Sequence, residues 1–484
     1  MLKPDAHPCR QGSGDPHGMM NDVETVDTIV IGAGMSGVTA ARLLAGAGHR
    51  VVLLEGRDRV GGRTWTDEAI GVPVELGASW IHGIDGNPLT ELRDALGIES
   101  VEFTMGSFQP GGRPVAYHAP DGARLDPVAQ ERWLADLEVV DERLAHVTAT
   151  SPTGTTYREA VERVLDELTA LPGLPIGGAE PVPAWNPDRV ERVREYMRHR
   201  VEDLCGAWID DLDAHGLDEE HVPGDEVVFP HGYGQFAEKL VVGIDVRLGH
   251  VVTAIARDDE GVTVSTAEHG AFRAAQVVAT LPLGVLRAGT VTFEPLLPEP
   301  VAGAIGRLGM GTYDKVFLRF PTRFWDDVYV IRQQGPAGVD WHSWYDMSRA
   351  TGAPILAALT GGPSARRLEA LTDAEIVAEG VAALRRMYGD AVPEPDAFRI
   401  TRWGQDEFSR GSYSYLAAGA DVHDPDLVAT PIDGRLHLAG EATFAEEPAT
   451  VHGALLSGHR AAERVLGRPI DLATLPDPLP EPLA

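Results

Sequence analysis

Apolar residues first cluster at Thr28-Ile29-Val30-Ile31, a short β-branched run between Asp27 and Gly32 that predicts a buried strand. The apolar spacing then turns helical from about Val38 and stops near Gly46 or Gly48. A second run, Val51 to Leu54, predicts another buried strand that ends in Glu55. Further along, Asp126-Pro127 reads as N-cap and first turn of a helix over Val128 to Val147, and Asp188 to Asp203 carries a second charged helical pattern. A Pro- and Gly-rich linker, Leu171 to Pro187, separates them. Strand patterns return at Val251 to Ile255 and Val262 to Ser265, a hairpin around Asp258-Asp259-Glu260-Gly261, and again at Gln276 to Thr280. Thr312 to Phe320 alternates, with Val316, Leu318 and Phe320 on one face and Tyr313, Lys315, Phe317 and Arg319 on the other. Thr372-Asp373-Ala374-Glu375 is a capping box opening an amphipathic helix to about Met387.

At 484 residues the chain exceeds what one core usually serves, so two domains with a cleft between them are expected. Charge changes the picture more. With 41 Lys plus Arg against 73 Asp plus Glu, the formal net charge is −32. That field repels nucleic acid and anionic membrane, and it would steer cationic molecules into a cleft, although solubility alone explains such a balance equally well. Cys9 and Cys205 are too few for a disulfide framework or a metal cluster, which fits a reducing cytoplasm as the expected location. Residues 1–22 lack the apolar core of a signal peptide and read as a disordered leader. No apolar run approaches the ~18 residues that would span a bilayer. The Pro-rich tail from 471 to 484 reads as extended and loosely attached.

The join between the first strand and helix is Gly32-Ala33-Gly34-Met35-Ser36-Gly37. Gly32 permits a tight turn, Gly34 lets backbone approach a pyrophosphate, and Gly37 allows helix and strand to pack closely. Met35 and Ser36 then open the helix whose N-terminus faces the phosphates, and Glu55 stands where a carboxylate binds the adenosine ribose. A second turn, Gly56-Arg57-Asp58-Arg59-Val60-Gly61-Gly62-Arg63-Thr64, exceeds what a nicotinamide unit needs and implies a longer dinucleotide.

This second turn resembles the DRVGGRT signature of the flavin-containing amine oxidase family. The resemblance covers roughly residues 25–130 and 225–470; residues 130–225 match no pattern we can place. It implies an α/β fold: a Rossmann-type, glutathione-reductase-like FAD-binding domain from 23–105, 225–294 and 395–470, with a discontinuous α+β substrate domain from 106–224 and 295–394. It also implies that Gly56, Arg57, Gly61, Gly62, Arg63 and Thr64 lie along FAD, that Gly77, Ala78, Ser79 and Trp80 cross the flavin, and that the backbone of Val252 holds the adenine side. Near the C-terminus, Trp403, Gly440, Glu441 and the Thr450-Val451 backbone at a helix start would complete the cofactor site. Lys315 by itself reads as an edge or solvent-facing strand residue. The similarity of Gly311 to Phe317 to the family segment implies instead that it holds a water beside flavin N5.

Two departures from the monoamine oxidase pattern matter. Ser412 replaces the cysteine that carries covalent flavin, so FAD is expected to be non-covalent. Thr450 replaces the second cage aromatic, leaving Tyr413, helped by Tyr415 or Trp403, to face the amine. Ser412 to Tyr415 and Pro448 to Gly458 look most like histone lysine demethylases, whereas Glu75 to Pro88, including Trp80-Ile81-His82-Gly83, looks most like spermine and acetylpolyamine oxidases. Neither a helical histone-binding domain nor a heptad insertion is recognised, which favours a small, probably polycationic amine with O2 as acceptor. His82 would bind a distal nitrogen, and Glu202, Asp210 and Asp211 are candidates for the cleft entrance. A specialised amine or amino acid, or a non-amine desaturase or porphyrinogen oxidase, are the alternative readings; oligomeric state is left open.

Overall fold

The computed structural model describes residues 23–105, 114–170, 184–217, 223–335 and 340–479. Cys9 and the expected leader lie outside them, as does most of the 171–187 linker. The strand Glu24–Ile31 pairs in parallel with Val51–Leu54 on one side and with Ala271–Ala279 on the other. Its apolar residues are wholly buried because helices cover both faces, which is why the run reads as continuous rather than alternating. Eight strands make this sheet, including the hairpin Val252–Asp258 and Gly261–Thr266 and the late strand Leu436–Leu438. Two helices, Met35–Gly46 and the C-terminal Val451–Leu466, pack together against it. The first begins three residues earlier than the apolar period alone suggests, since Met35, Ser36 and Gly37 are already helical behind Gly34.

A second sheet of six strands runs in the order Ala397–Ile400, Tyr313–Arg319, Ile355–Gly361, Ser343–Asp346, Val330–Gln333, Val115–His118. Residues from both expected insertions therefore share one sheet. Ala397–Ile400 pairs with Tyr313–Arg319, so the chain remains in this sheet a few residues past the boundary drawn at 394. Three long helices, Pro127–Thr150, Tyr157–Ala170 and Pro187–Cys205, pack beside it. Asp126 and Asn186 cap the first and third through side-chain oxygens. Among the described residues no helix is long and apolar enough to cross a membrane.

The tail departs from its reading as a loose end. Leu475 is buried, and the Arg42 guanidinium donates to the carbonyls of Leu475 and Asp477 at 2.8 Å each, and to Leu240 at 2.9 Å. The chain through residue 479 is thereby docked on the nucleotide helix.

Candidate active site

The glycine turn has the geometry its sequence demands. Gly32 sits at φ +95° with its N–H on Leu54 O at 2.7 Å, and a Cβ at Gly37 would lie 1.8 Å from Gly32 O. A Cβ at Gly34, in contrast, would meet nothing nearer than Gly61 O at 4.0 Å, so this backbone faces open space. Glu55 accepts the N–H of Ala33 at 2.7 Å and of Arg57 at 2.9 Å, which pins the glycine turn and leaves further lone pairs for ribose hydroxyls. The second turn abuts the first: Gly61 N–H donates to Ala33 O at 2.8 Å, and Gly62, at φ +57°, leaves room for Gly34 Cα. Thr64 closes it by donating to Gly61 O at 2.8 Å. Gly56 is small for a packing reason, because a Cβ there would strike the Phe408 ring at 2.8 Å.

The arginines divide their roles. Arg57 is held in a two-pronged pair with Asp406 at 2.8 and 2.5 Å, and Arg63 donates to Ser412 O and Glu441. Glu441 also accepts from Ser414 Oγ at 2.6 Å and Ala449 N at 3.1 Å, so it braces three segments around the cofactor site. Arg59, which no spacing argument singled out, lies 4.2 Å over Trp65 with a buried Nη2 that has no hydrogen-bond partner; burial lowers its pKa to about 10. Ser36 Oγ is likewise buried and unpartnered. A guanidinium nitrogen and a hydroxyl left unsatisfied beside a helix N-terminus, with open backbone at Gly34 and Gly440, fit FAD. Val252 is buried in its strand and contributes backbone, as its residue type allows. The Thr450 hydroxyl accepts from Gly453 N at 2.9 Å, making it the N-cap of Val451–Leu466 rather than a group facing a substrate. The helix start at Val451 retains the free N–H groups expected there.

Lys315 is not at an edge. Its strand lies between Ala397–Ile400 and Ile355–Gly361, and the side chain is buried. Its Nζ donates to Glu75 O at 3.1 Å and to Gly77 O, lies 2.5 Å from Ser79 Oγ, and sits 5.6 Å from the Trp80 ring. Desolvation pulls the ammonium below the usual lysine range, opposed by the Glu75 carboxylate, whose own pKa burial pushes up. The strap 75–80 is fixed from its other side: Ala78 N–H bonds Arg63 O at 3.1 Å, a Cβ at Gly77 would lie 1.7 Å from that carbonyl, and Trp403 Nε1 donates to Leu76 O at 2.9 Å.

Beyond the strap lies an aromatic cluster. Tyr413 meets Tyr313 edge to face at 5.9 Å and donates to Asp203 O at 3.4 Å. Trp80 contacts both Phe103 and Tyr345 at 5.7 Å. Half-exposed His82 stacks on Trp80 at 6.1 Å, with Nδ1 2.5 Å from the buried Glu226 carboxylate. Tyr313, not Tyr415 or Trp403, is thus the ring beside Tyr413; Tyr415 packs over Gly309 instead. The entrance candidates change too. Glu202 is buried between Arg198 at 3.3 Å and Ser364 at 3.4 Å, and Asp210 pairs with Arg158 at 2.5 Å, while Asp211 is exposed. The acids near the rings are Asp203, paired with His342 at 2.8 Å and Arg332 at 3.3 Å, and Glu226. Tyr313 shares the Lys315 face of its strand, a signal present in the alternation; Glu226 carries none.

Comparison with known proteins agrees with this architecture. The profile for flavin containing amine oxidoreductases matches residues 35–466. Polyamine oxidase 4 of Oryza sativa subsp. japonica is 34% identical over 463 residues, covering 93% of this chain and 90% of the relative. Lysine-specific histone demethylase 2 of Homo sapiens is 30% identical over 93% of this chain, which spans 54% of that protein. Wild-type putrescine oxidase bound to putrescine superposes with a TM-score of 0.73 at 22% identity, over 92% of this chain and 99% of that one, a likeness of fold. With a glycine-turn cradle that fits FAD and a profile matched along nearly its whole length, the chain belongs to the family of flavin-containing amine oxidoreductases.

Proposed function

We propose that the protein oxidises a polyamine, such as spermine or spermidine, to an imine that water hydrolyses to an aldehyde and a shorter amine, with O2 reduced to H2O2. The observation that carries this reading is the His82–Glu226 pair at 2.5 Å, stacked on the Trp80 end of the aromatic cluster. Glu226 fixes the ring through Nδ1 and leaves Nε2 for a second nitrogen of the substrate, which a monoamine lacks. FAD, when bound, supplies the hydride acceptor. The protein's part is to hold the reacting carbon beside Tyr413 and Tyr313, to exclude water with those rings, and to keep a titratable amine, Lys315, next to the reaction. Ser412 gives an alcohol, bonded to Tyr313 N at 2.7 Å and Tyr313 O at 2.9 Å, where a covalent link would require a thiol, so the flavin is non-covalent.

Anaerobic mixing of the yellow holoprotein with spermine, spermidine, N-acetylated polyamines, putrescine, monoamines and amino acids tests this. Rapid bleaching by a polyamine, with weak response to monoamines, is the expected result. Bleaching by monoamines or amino acids alone would overturn the polyamine reading.

A further inference from the structure

Of the 41 lysines and arginines, three are lysines: Lys3, Lys239 and Lys315. The one placed in the reaction site is therefore a lysine in a chain that otherwise uses arginine. The two differ in a chemical respect that matters here, because a buried lysine can surrender its proton and an arginine cannot. Where that proton goes is decided by the neighbours of Nζ. Two are main-chain carbonyls, Glu75 O at 3.1 Å and Gly77 O, which accept hydrogen bonds and never donate. The third is Ser79 Oγ at 2.5 Å, a hydroxyl that both accepts and donates. The amine nitrogen has three positions besides its bond to Cε. Two hold N–H groups directed at carbonyls, and the remaining one, N–H or lone pair, faces Ser79. The Trp80 ring, 5.6 Å from Nζ, is apolar cover with no proton to exchange from its face. Ser79 is itself buried, and its other contact, to Gly77 O, is long at 3.5 Å.

We infer that Ser79 is the proton gate of Lys315, the two side chains forming a dyad through which every proton reaches or leaves Nζ. In the outward step an Nζ–H bond breaks as a new bond forms from that hydrogen to Ser79 Oγ. The original Oγ–H proton passes to an acceptor in the cleft, either water or a substrate nitrogen. Lys315 ends as the neutral amine, the acceptor carries the positive charge, and no electron moves. The inward step is the reverse. Burial of Lys315 favours the neutral amine, while Glu75, the charged group acting on Nζ among the described residues, restrains the loss. Ser79 is thus a relay residue for Lys315. What the proton is used for, imine hydrolysis or O2 reduction, rests on the proposed function; the dyad does not.

The scarcity of lysine makes the test direct. FAD-loaded protein labelled with 15N-lysine has three Nζ sites, and the K315M variant identifies the one of interest. Exchange of the Lys315 Nζ protons with solvent is expected to slow about tenfold or more in S79A and to return to near the wild-type rate in S79T, which keeps a hydroxyl. FAD affinity and melting temperature should be unchanged. In turnover, S79A should alter the pH profile of the step that K315M also slows, and S79T should restore it. Equal exchange rates in S79A and wild type would overturn the inference. If S79A lost its flavin, S79C, with a weak donor of similar size, reads the same rate: slowed exchange supports the gate and unchanged exchange refutes it. Because exchange needs no amine, failure of every polyamine to bleach the flavin would remove the proposed substrate and leave the dyad to be judged by exchange alone.

Discussion

Glu202 shows how burial governs one residue. Desolvation raises its carboxyl to about 7, although Arg198 and His342 pull the other way. An unfolded glutamate titrates near ~4.3. Between these values the folded chain holds a proton that the unfolded chain has released, so this group's stabilisation is full below the lower value and is lost as pH rises through the upper one. E202Q, which cannot ionise, escapes that loss. Its melting temperature relative to wild type should therefore climb between pH 5 and pH 8, as read by thermal unfolding at both; an equal difference at the two pH values would contradict the assignment. The same residue marks a limit of sequence reading. Glu202 follows a helical pattern rich in Arg and Glu, which gives an acid there no sign of facing inward. Lys315 and Tyr313 were legible as one strand face because strand geometry fixes it locally. Glu226 and Asp203 were not, since their partners His82 and His342 lie more than a hundred residues away.

Among the elements, the helix Val451–Leu466 joins cofactor site and core. Gly458 packs so tightly on the nucleotide helix that a Cβ would fall 2.1 Å from Ser36 O, which places the Thr450 end beside the cradle. Thr450 satisfies the N–H of Gly453 at 2.9 Å, one of the donors that a helix start leaves free. T450A should cost about 1 kcal/mol of stability through the lost cap. Chemical denaturation of the apoprotein measures this apart from FAD binding, and T450S should recover most of it. No loss in T450A would mean the cap is supplied elsewhere. Local patterns of this kind were legible before the structure: capping residues at Asp126, Thr372 and the glycine turn all stand where elements begin. Less legible were pairings made across the chain. Ala397–Ile400 is an ordinary short strand in sequence, and only its pairing with Tyr313–Arg319 assigns it to the second sheet.

At the scale of the whole molecule, a formal charge of −32 surrounds a site whose own acids are largely neutralised by neighbours: Asp203 by Arg332 and His342, Glu441 by Arg63. The attraction for a polycation therefore comes from the summed surface, acting before contact, rather than from one deep carboxylate. Such a field accelerates encounter and weakens as salt shortens its reach, from about 30 Å at 10 mM ionic strength to about 8 Å at 150 mM. Encounter enters kcat/KM but not kcat. For a tetracationic amine, kcat/KM should fall severalfold across that range while kcat holds, and for a monocationic amine of equal length kcat/KM should fall far less. Stopped-flow flavin reduction at both ionic strengths measures this. Equal falls for the two amines would show that the acidic surface serves solubility and that substrate charge is read only within the site.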